Sequence, residues 1–263
     1  MRSNHDIDYR IFGEEMQCVE IELDPQETVI AEPGAFMYAD HSVQMQTIFG
    51  DGTSSGGIMD KILGAGKRLL TGENLFMTAF THTGGGKAKV AFASPYPGKI
   101  VPIDLQELGG KFICQKDAFL CAAKGVSVGI ELQRKLGTGI FGGEGFIMQK
   151  LEGDGMAFVH AGGHIIERSL LAGEILKVDT GCVVAYTKEV SFDIQFVGSI
   201  RNTIFGGEGL FYAVLRGPGR VWLQTLPISR LASRIIQYAP QTGSRREEGS
   251  VLGGLGNLLD GDM

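Results

Sequence analysis

The chain has 263 residues, a length that one large β domain can hold. Its 40 glycines are about twice the usual share and follow no Gly-X-Y period, which excludes collagen. Hydrophobic residues at 43% and charged residues at 21% exclude an intrinsically disordered chain. The formal net charge of −6 argues against nucleic-acid binding, because counterion release requires clustered Lys and Arg. A globular chain so rich in glycine is expected to have many tight turns and many short strands.

The cysteine pattern and the hydropathy predict a reduced, cytoplasmic protein without a cofactor or metal. The four cysteines form neither a C-x-x-C pair nor a zinc-ligand spacing, and each lies in or beside an apolar run. We therefore expect free thiols that pack as small hydrophobic side chains. No N-terminal signal core is present, and no apolar stretch approaches the roughly 18 residues of a membrane-spanning helix. The four are Cys18, Cys114, Cys121 and Cys182.

The first predicted β repeat covers residues 8–95. Its run Glu-Pro-Gly-Ala-Phe-Met at 32–37 aligns with residues 179–184 and predicts a turn between two strands. An insertion near 48–66 distinguishes this repeat from the other two. The mixed apolar and basic segment at 56–70 either packs over the β core or between subunits, which we favour, or lies on an anionic membrane surface.

The second and third predicted β repeats cover residues 100–161 and 164–226. The hexapeptide Ile-Phe-Gly-Gly-Glu-Gly at 140–145 recurs unchanged at 204–209. In each repeat a strand with alternating apolar residues, at 126–132 and 190–196, is expected to be half buried. Each repeat contains a Gly-Glu pair, at 72–73, 143–144 and 207–208, which we call its corner. Each corner is followed by a predicted hairpin whose tip is rich in glycine, because such turns require a positive φ. These tips lie at 84–86, 153–155 and 217–219.

One copy of this unit is too small to bury both faces of its sheet, so the three repeats are expected to pack together with approximate threefold symmetry. A short C-terminal helix is predicted over 227–240, where Ile228, Leu231 and Ile235 share one face. The segment 243–263 has isolated leucines separated by glycines and is expected to be a flexible tail, dispensable for folding.

The sequence resembles a family named after a yeast protein, altered inheritance of mitochondria protein twenty-four. The resemblance is carried by the Gly-Glu corners, the run at 32–37 and the run Leu-Pro-Ile-Ser-Arg-Leu-Ala at 226–232, and it covers about residues 1–240. It implies an all-β double-stranded β-helix like that of the tryptophan RNA-binding attenuation protein, here in three internal copies. It also implies bacterial, mostly uncharacterised relatives, no established enzyme activity and no agreed catalytic residues.

The candidate binding residues are the three corner glutamates Glu73, Glu144 and Glu208. Threefold symmetry could bring their carboxylates together on an axis, where they would suit a hard cation such as Ca²⁺. Alternatively, each carboxylate accepts backbone N–H bonds at its own corner or pairs with a neighbouring repeat. We favour this structural interpretation, and no metal site is predicted.

Other motifs do not support catalysis. His160 and His164 flank two glycines, so we expect a surface turn between repeats rather than a zinc site. The segment 64–68 resembles a phosphate-binding loop but has Arg68 where Ser or Thr is required. No G-x-S-x-G nucleophile elbow is present. We therefore predict that the protein is not an enzyme.

Two classes of function remain. The first is a non-enzymatic scaffold or binding protein that works as a homo-oligomer, whose protein partner the sequence does not identify. The alternative is a cupin-like protein that binds a small molecule or a metal, with weak enzyme activity as a further option. RNA binding is suggested only by analogy of fold, and the acidic balance of the chain argues against it.

Overall fold

The computed structural model describes residues 4–49, 76–134, 146–196 and 211–238. Within these ranges the chain is nearly all β, with two short 3-10 turns at Lys116–Ala118 and Thr180–Cys182 and one helix. The predicted all-β class is confirmed. The strands are β1 Asp8–Phe12, β2 Cys18–Leu23, β3 Thr28–Ala31, β4 Phe36–Ala39, β5 Val43–Phe49, β6 Phe76–His82, β7 Ala88–Ala93, β8 Gly98–Asp104, β9 Lys111–Gln115, β10 Phe119–Ala123, β11 Ser127–Arg134, β12 Phe146–Glu152, β13 Met156–Gly162, β14 Ile165–Leu170, β15 Ile175–Asp179, β16 Val183–Thr187, β17 Ser191–Phe196, β18 Phe211–Arg216 and β19 Gly219–Gln224.

The strands form four sheets, and all the paired neighbours are antiparallel. The strand orders are β1-β2-β7-β4, β5-β6-β3-β10-β13-β8, β11-β12-β9-β16-β19-β14 and β15-β18-β17. The two six-stranded sheets have the same arrangement. Each strand of the second sheet takes the position that the strand with a number lower by six takes in the first. Each of the four sheets is open, with two edge strands among the described residues. The double-stranded β-helix and the threefold arrangement of three repeats therefore stay predictions.

The predicted hairpins at the glycine-rich tips are wrong. The strands on either side of each tip do not pair: β6 lies beside β3 and β5, whereas β7 lies beside β2 and β4. Each tip instead carries the chain from one sheet into another. The expected positive φ is present, at 78° for Gly86, 147° for Gly153 and 139° for Gly219. Glycine is needed because L side chains rarely adopt this conformation, whether the turn closes a hairpin or links two sheets.

Burial explains which segments form which strands. The predicted alternating strands are confirmed as β11 and β17. In β17 the apolar Phe192 and Ile194 are partly buried between exposed neighbours, and in β2 every second side chain is fully buried. In contrast, β10 and β16 are buried at every position, because each lies in the middle of a six-stranded sheet with both faces covered. The thiols of Cys114 and Cys121 are inaccessible within this core, as predicted.

The predicted C-terminal helix is confirmed as α1, Ile228–Tyr238. Residues 1–230 form one compact unit, and the chain from residue 231 onward forms a second. No residue of α1 is buried. Among the described residues, no helix has the length and apolarity to cross a membrane. The insertion near 48–66, apart from the end of β5, and the tail at 243–263 lie outside the described residues.

Candidate functional site

The three corner glutamates cannot be placed in a site. Glu73, Glu144 and Glu208 all lie outside the residues that the structure describes, so both interpretations of their carboxylates stay predictions. In the described part of the chain, no group of three or more His, Cys, Asp or Glu is arranged to hold a metal ion.

A cavity of about 480 Å³ lies where several loops meet at one end of β3, β10 and β13. Sheet topology brings these loops together, because β10 runs antiparallel to both β3 and β13. The end of β3, the start of β10 and the end of β13 therefore share one side of the sheet. Gly98 pairs with Gly162, which places the loop before β8 on the same side. The lining residues are Glu32, Pro33, Gly34, Ala35, Ser94, Pro95, Tyr96, Asp117, Phe119, Leu120, His160 and Ile228.

Glu32 begins the tight turn between β3 and β4. Pro33 sets the backbone for the first central position of this turn, and Gly34 follows with a φ of 89°. The turn is closed by a hydrogen bond in which the amide of Ala35 donates to the carbonyl oxygen of Glu32, at 3.2 Å. The Glu32 amide donates to the carbonyl oxygen of Leu120 at 3.0 Å, which fixes the turn to β10. The turn is therefore closed and fixed to β10, and Glu32 is held at the cavity.

The Glu32 side chain is partly buried, and its carboxyl has no matching partner among the described residues. Burial raises its pKa from 4.5 to about 7, with a smaller upward effect from Asp117 and an opposing effect from Lys116. Among the described residues no hydrogen bond reaches this carboxylate. At neutral pH the Glu32 carboxyl is therefore protonated in about half of the molecules and ionised in the others, where its charge is poorly stabilised.

His160 lies on β13 and is 2% exposed, so the prediction of a surface turn is wrong for this residue. The turn begins only after β13, and His164 is exposed there. Burial lowers the pKa of His160 to about 4, against the opposing effect of a hydrogen bond with the backbone of Tyr96. The ring nitrogen Nδ1 has no hydrogen-bond partner among the described residues. Since the bond to a backbone carbonyl uses Nε2–H, Nδ1 is a neutral acceptor at physiological pH.

Tyr96 packs against His160 and completes this side of the cavity. Their rings meet edge to face, with centroids 4.6 Å apart. Burial raises the pKa of Tyr96 to about 12, so its phenol is neutral at physiological pH. The loop of Tyr96 must lie close to β13, because a Cβ on Gly98 would come within 2.6 Å of the Nε2 of His160. Glycine at 98 thus permits the packing that holds the imidazole.

Asp179 aligns with Glu32 in the third predicted repeat, but its carboxyl has a different environment. Asp179 accepts a hydrogen bond from the amide of Gly181 at 2.8 Å and pairs with Arg230 at 3.0 Å. Its charge is therefore stabilised at the turn itself. Glu32 has no comparable partner among the described residues, and this contrast marks its turn as the one with unsatisfied charge.

Sequence comparison assigns the chain to a family. The profile of the family described as mitochondrial biogenesis AIM24 matches residues 9–226, which is most of the chain. The chain belongs to the AIM24 family. The membership predicted from the corner motifs is thereby confirmed, while the likeness to the tryptophan RNA-binding attenuation protein stays a prediction.

Two bacterial proteins show how far the AIM24 likeness extends. The uncharacterized protein M6_Spy0233 of Streptococcus pyogenes serotype M6 is 30% identical over 229 residues, covering 86% of this chain and 88% of that protein. The crystal structure of the Streptococcus pyogenes protein SPYM3_0169 has a TM-score of 0.69 at 26% identity, covering 89% of this chain and 100% of that chain. The expectation of uncharacterised bacterial relatives is confirmed.

The cavity of this AIM24 protein combines an apolar lining with a small number of polar groups. Several of its lining side chains are apolar, and the carboxylate of Glu32 accepts no hydrogen bond from the described residues. Its volume lies in the range of small-molecule sites. Sequence reasoning used Glu32 only to align the repeats and missed the site, because its parts come from five distant segments.

Proposed function

We propose that this AIM24-family protein is a binding protein that holds a small molecule in the cavity beside Glu32. The observation that carries the proposal is the partly buried Glu32 carboxyl at the cavity, whose pKa is raised to about 7 by burial and which has no compensating partner among the described residues. Burying an ionisable group in this way is costly, so such groups concentrate at functional sites. A ligand that satisfies the carboxyl would recover that cost.

A binding role without catalysis is supported by the state of two buried thiols and of the imidazole in the cavity. Burial raises the pKa of the Cys114 and Cys121 thiols, so neither forms a thiolate at neutral pH. His160 lies in the cavity, but an imidazole with a pKa of about 4 is a weak base. We therefore propose that the cavity retains its ligand unchanged.

Filling the cavity tests this binding role. Ile228 lines the cavity and is only partly buried, so Ile228→Trp adds volume at the lining with little strain in the core. We expect native mass spectrometry of the wild-type protein, or a thermal-shift screen, to reveal a bound small molecule that Ile228→Trp binds at least tenfold more weakly. Leu171→Trp, at an exposed turn outside the cavity, is the matched control. Equal binding by wild type and Ile228→Trp would exclude this cavity as the site.

We also propose that the protein acts as a homo-oligomer, because an edge strand exposes apolar side chains. In β4 the residues Phe36, Met37 and Tyr38 are 42%, 56% and 41% exposed, and among the described strands β4 pairs only with β7. An unprotected apolar edge of this kind invites pairing with another chain. A second copy would cover it.

Sedimentation velocity measures this association directly. We expect the wild-type protein to sediment at micromolar concentration as a species larger than the 28.2 kDa monomer. Met37→Lys should shift it toward monomer, because a charge on the exposed edge opposes pairing. Leu171→Lys adds the same charge at an exposed turn and should leave the distribution unchanged. A wild-type protein that is monomeric under these conditions would overturn the proposal.

A further inference from the structure

We infer that the ligand of the Glu32 cavity is a small organic cation, an ammonium group attached to an apolar body, with Glu32 as its counter-ion. This inference rests on the proposed binding function of the same cavity and adds the chemical class of the ligand. Three features of the lining support it: its charge, its unpartnered acceptors and its apolar surface.

The charge of the lining favours a cation. Of the described residues that line the cavity, the charged ones are both acidic, Glu32 and Asp117, and none is Lys or Arg. Lys116 influences Glu32 from the adjoining 3-10 turn but does not line the cavity. The neutral imidazole of His160 adds no positive charge at physiological pH. An anion would meet like charge here, whereas a cation would stabilise Glu32 in a partly dehydrated site.

The hydrogen-bonding capacity of the lining favours a donor. The Glu32 carboxylate accepts no hydrogen bond from the described residues, whereas the unpartnered Nδ1 atom of His160 is closed off from the cavity. Unpaired buried polar groups are costly, and the matching ligand group is one that only donates. An ammonium has three N–H donors and no acceptor, so it can donate to the Glu32 carboxylate without adding an acceptor to the site. A carboxylate or phosphate ligand would add acceptors to a site that already has acceptors unmet.

The remaining surface of the cavity suits an apolar body of limited size. Pro95 comes from the loop between β7 and β8, Phe119 and Leu120 come from β10, and Ala35 lies in the turn after Glu32. A volume of about 480 Å³ fits a small ligand rather than a peptide.

This ligand class predicts the pH dependence of binding. A cation binds the ionised form of Glu32, and with a pKa of about 7 the ionised fraction falls about tenfold between pH 8 and pH 6. Near pH 7 binding should therefore release about half a proton from Glu32. The other titratable groups around Glu32 are Lys116, Asp117, Cys114, Tyr96 and His160. Of those whose pKa is shifted, Cys114, Tyr96 and His160 stay neutral across this interval.

Isothermal titration calorimetry of the full chain with three matched probes tests the ligand class. Phenethylamine, phenethyl alcohol and hydrocinnamate share an aromatic body and differ in charge. At pH 8 we expect the amine to bind at least tenfold more tightly than the alcohol, and the carboxylate not to bind. Affinity for the amine should fall about tenfold at pH 6, and titration near pH 7 in two buffers of different ionisation enthalpy should show proton release.

Glu32→Gln keeps the shape of the side chain and removes its charge, and we expect at least a tenfold loss of amine affinity together with loss of the pH dependence. Glu189→Gln makes the same change at an exposed turn and should bind as wild type does. Near-ultraviolet circular dichroism establishes that both variants are folded, and proton release by the wild-type protein tests the role of Glu32 without any variant.

The outcomes separate the ligand class from the binding function. If the alcohol or hydrocinnamate binds as well as the amine, or if Glu32→Gln binds the amine unchanged, the inference of a cationic ligand is wrong. A neutral or anionic ligand that Ile228→Trp excludes would then leave the binding function intact. If none of the probes binds at millimolar concentration and no molecule accompanies the purified protein, both proposals fail.

Discussion

Replacing Glu32 with Gln is expected to stabilise the ligand-free protein by about 3 kcal/mol at pH 8. The pKa of Glu32 is 4.5 in the unfolded chain and about 7 in the folded protein, and each pKa unit corresponds to about 1.4 kcal/mol. Because the folded pKa is the higher one, the contribution of this carboxyl to stability is complete below about pH 4.5 and is lost as the pH rises through 7. A neutral amide at position 32 removes that loss.

Urea denaturation at pH 8 and pH 4.5 measures the effect. The gain of Glu32→Gln over wild type should be present at pH 8 and absent at pH 4.5, where the wild-type carboxyl is also neutral. Glu189→Gln, at an exposed turn, should change the free energy of unfolding by less than about 0.5 kcal/mol at either pH. A Glu32→Gln variant that is no more stable than wild type at pH 8 would show that Glu32 has a partner that compensates its charge.

Acidification has the opposite effect on the contribution of His160 to stability over part of the same pH range. Its pKa is lowered from 6.5 to about 4, so its neutral ring contributes stability above pH 6.5 that is lost as the pH falls through 4. In the wild-type protein the gain from protonating Glu32 offsets part of this loss. The Glu32→Gln variant lacks that offset, so its stability should fall more steeply on acidification from pH 7.

Ligand binding and stability are therefore expected to conflict at Glu32. A variant that is more stable and no longer binds the amine would identify this carboxyl as a group that serves binding at the expense of folding. The same result would distinguish Glu32 from Asp179, whose carboxylate is paired with Arg230 and accepts a backbone hydrogen bond. Substitution of a paired carboxylate is expected to destabilise the fold.

The sequence predicted local features of this fold well and strand partners poorly. Alternation at 126–132 and 190–196 predicted β11 and β17, because every second residue faces the core. Alternation does not determine which strand lies beside which, so consecutive strands joined by a glycine tip were assigned to hairpins although they belong to different sheets. A glycine with positive φ serves either connection, and its presence does not distinguish them.

The cavity was beyond local sequence reasoning for a related reason. Its polar groups Glu32, Tyr96 and His160 are separated by tens of residues and meet only because β3, β10 and β13 are neighbours in one sheet. No fixed spacing links them, unlike the ligands of a zinc finger or the residues of a phosphate-binding loop. The burial that shifts their pKa values is likewise a property of the folded chain. What the sequence did contain was the alignment of Glu32 with Asp179, which marks equivalent turns but not their different partners.

Gln224→Leu is expected to lower the free energy of unfolding by about 2–6 kcal/mol, because Gln224 joins the end of β13 to the 3-10 turn at Thr180–Cys182 through buried hydrogen bonds. Its Oε1 accepts from the amide of Gly162 at 2.8 Å, and its Nε2 donates to the carbonyl oxygen of Gly181 at 2.8 Å. Leu makes neither bond, and each buried backbone group that loses its partner costs about 1–3 kcal/mol. Gly162 ends the strand that carries His160, so cavity binding should weaken too.

Gln195→Leu, which removes an exposed bond to Tyr212, is the control and should cost less than about 1 kcal/mol in urea denaturation. Equal losses in the two variants would show that the bonds of Gln224 add nothing through burial.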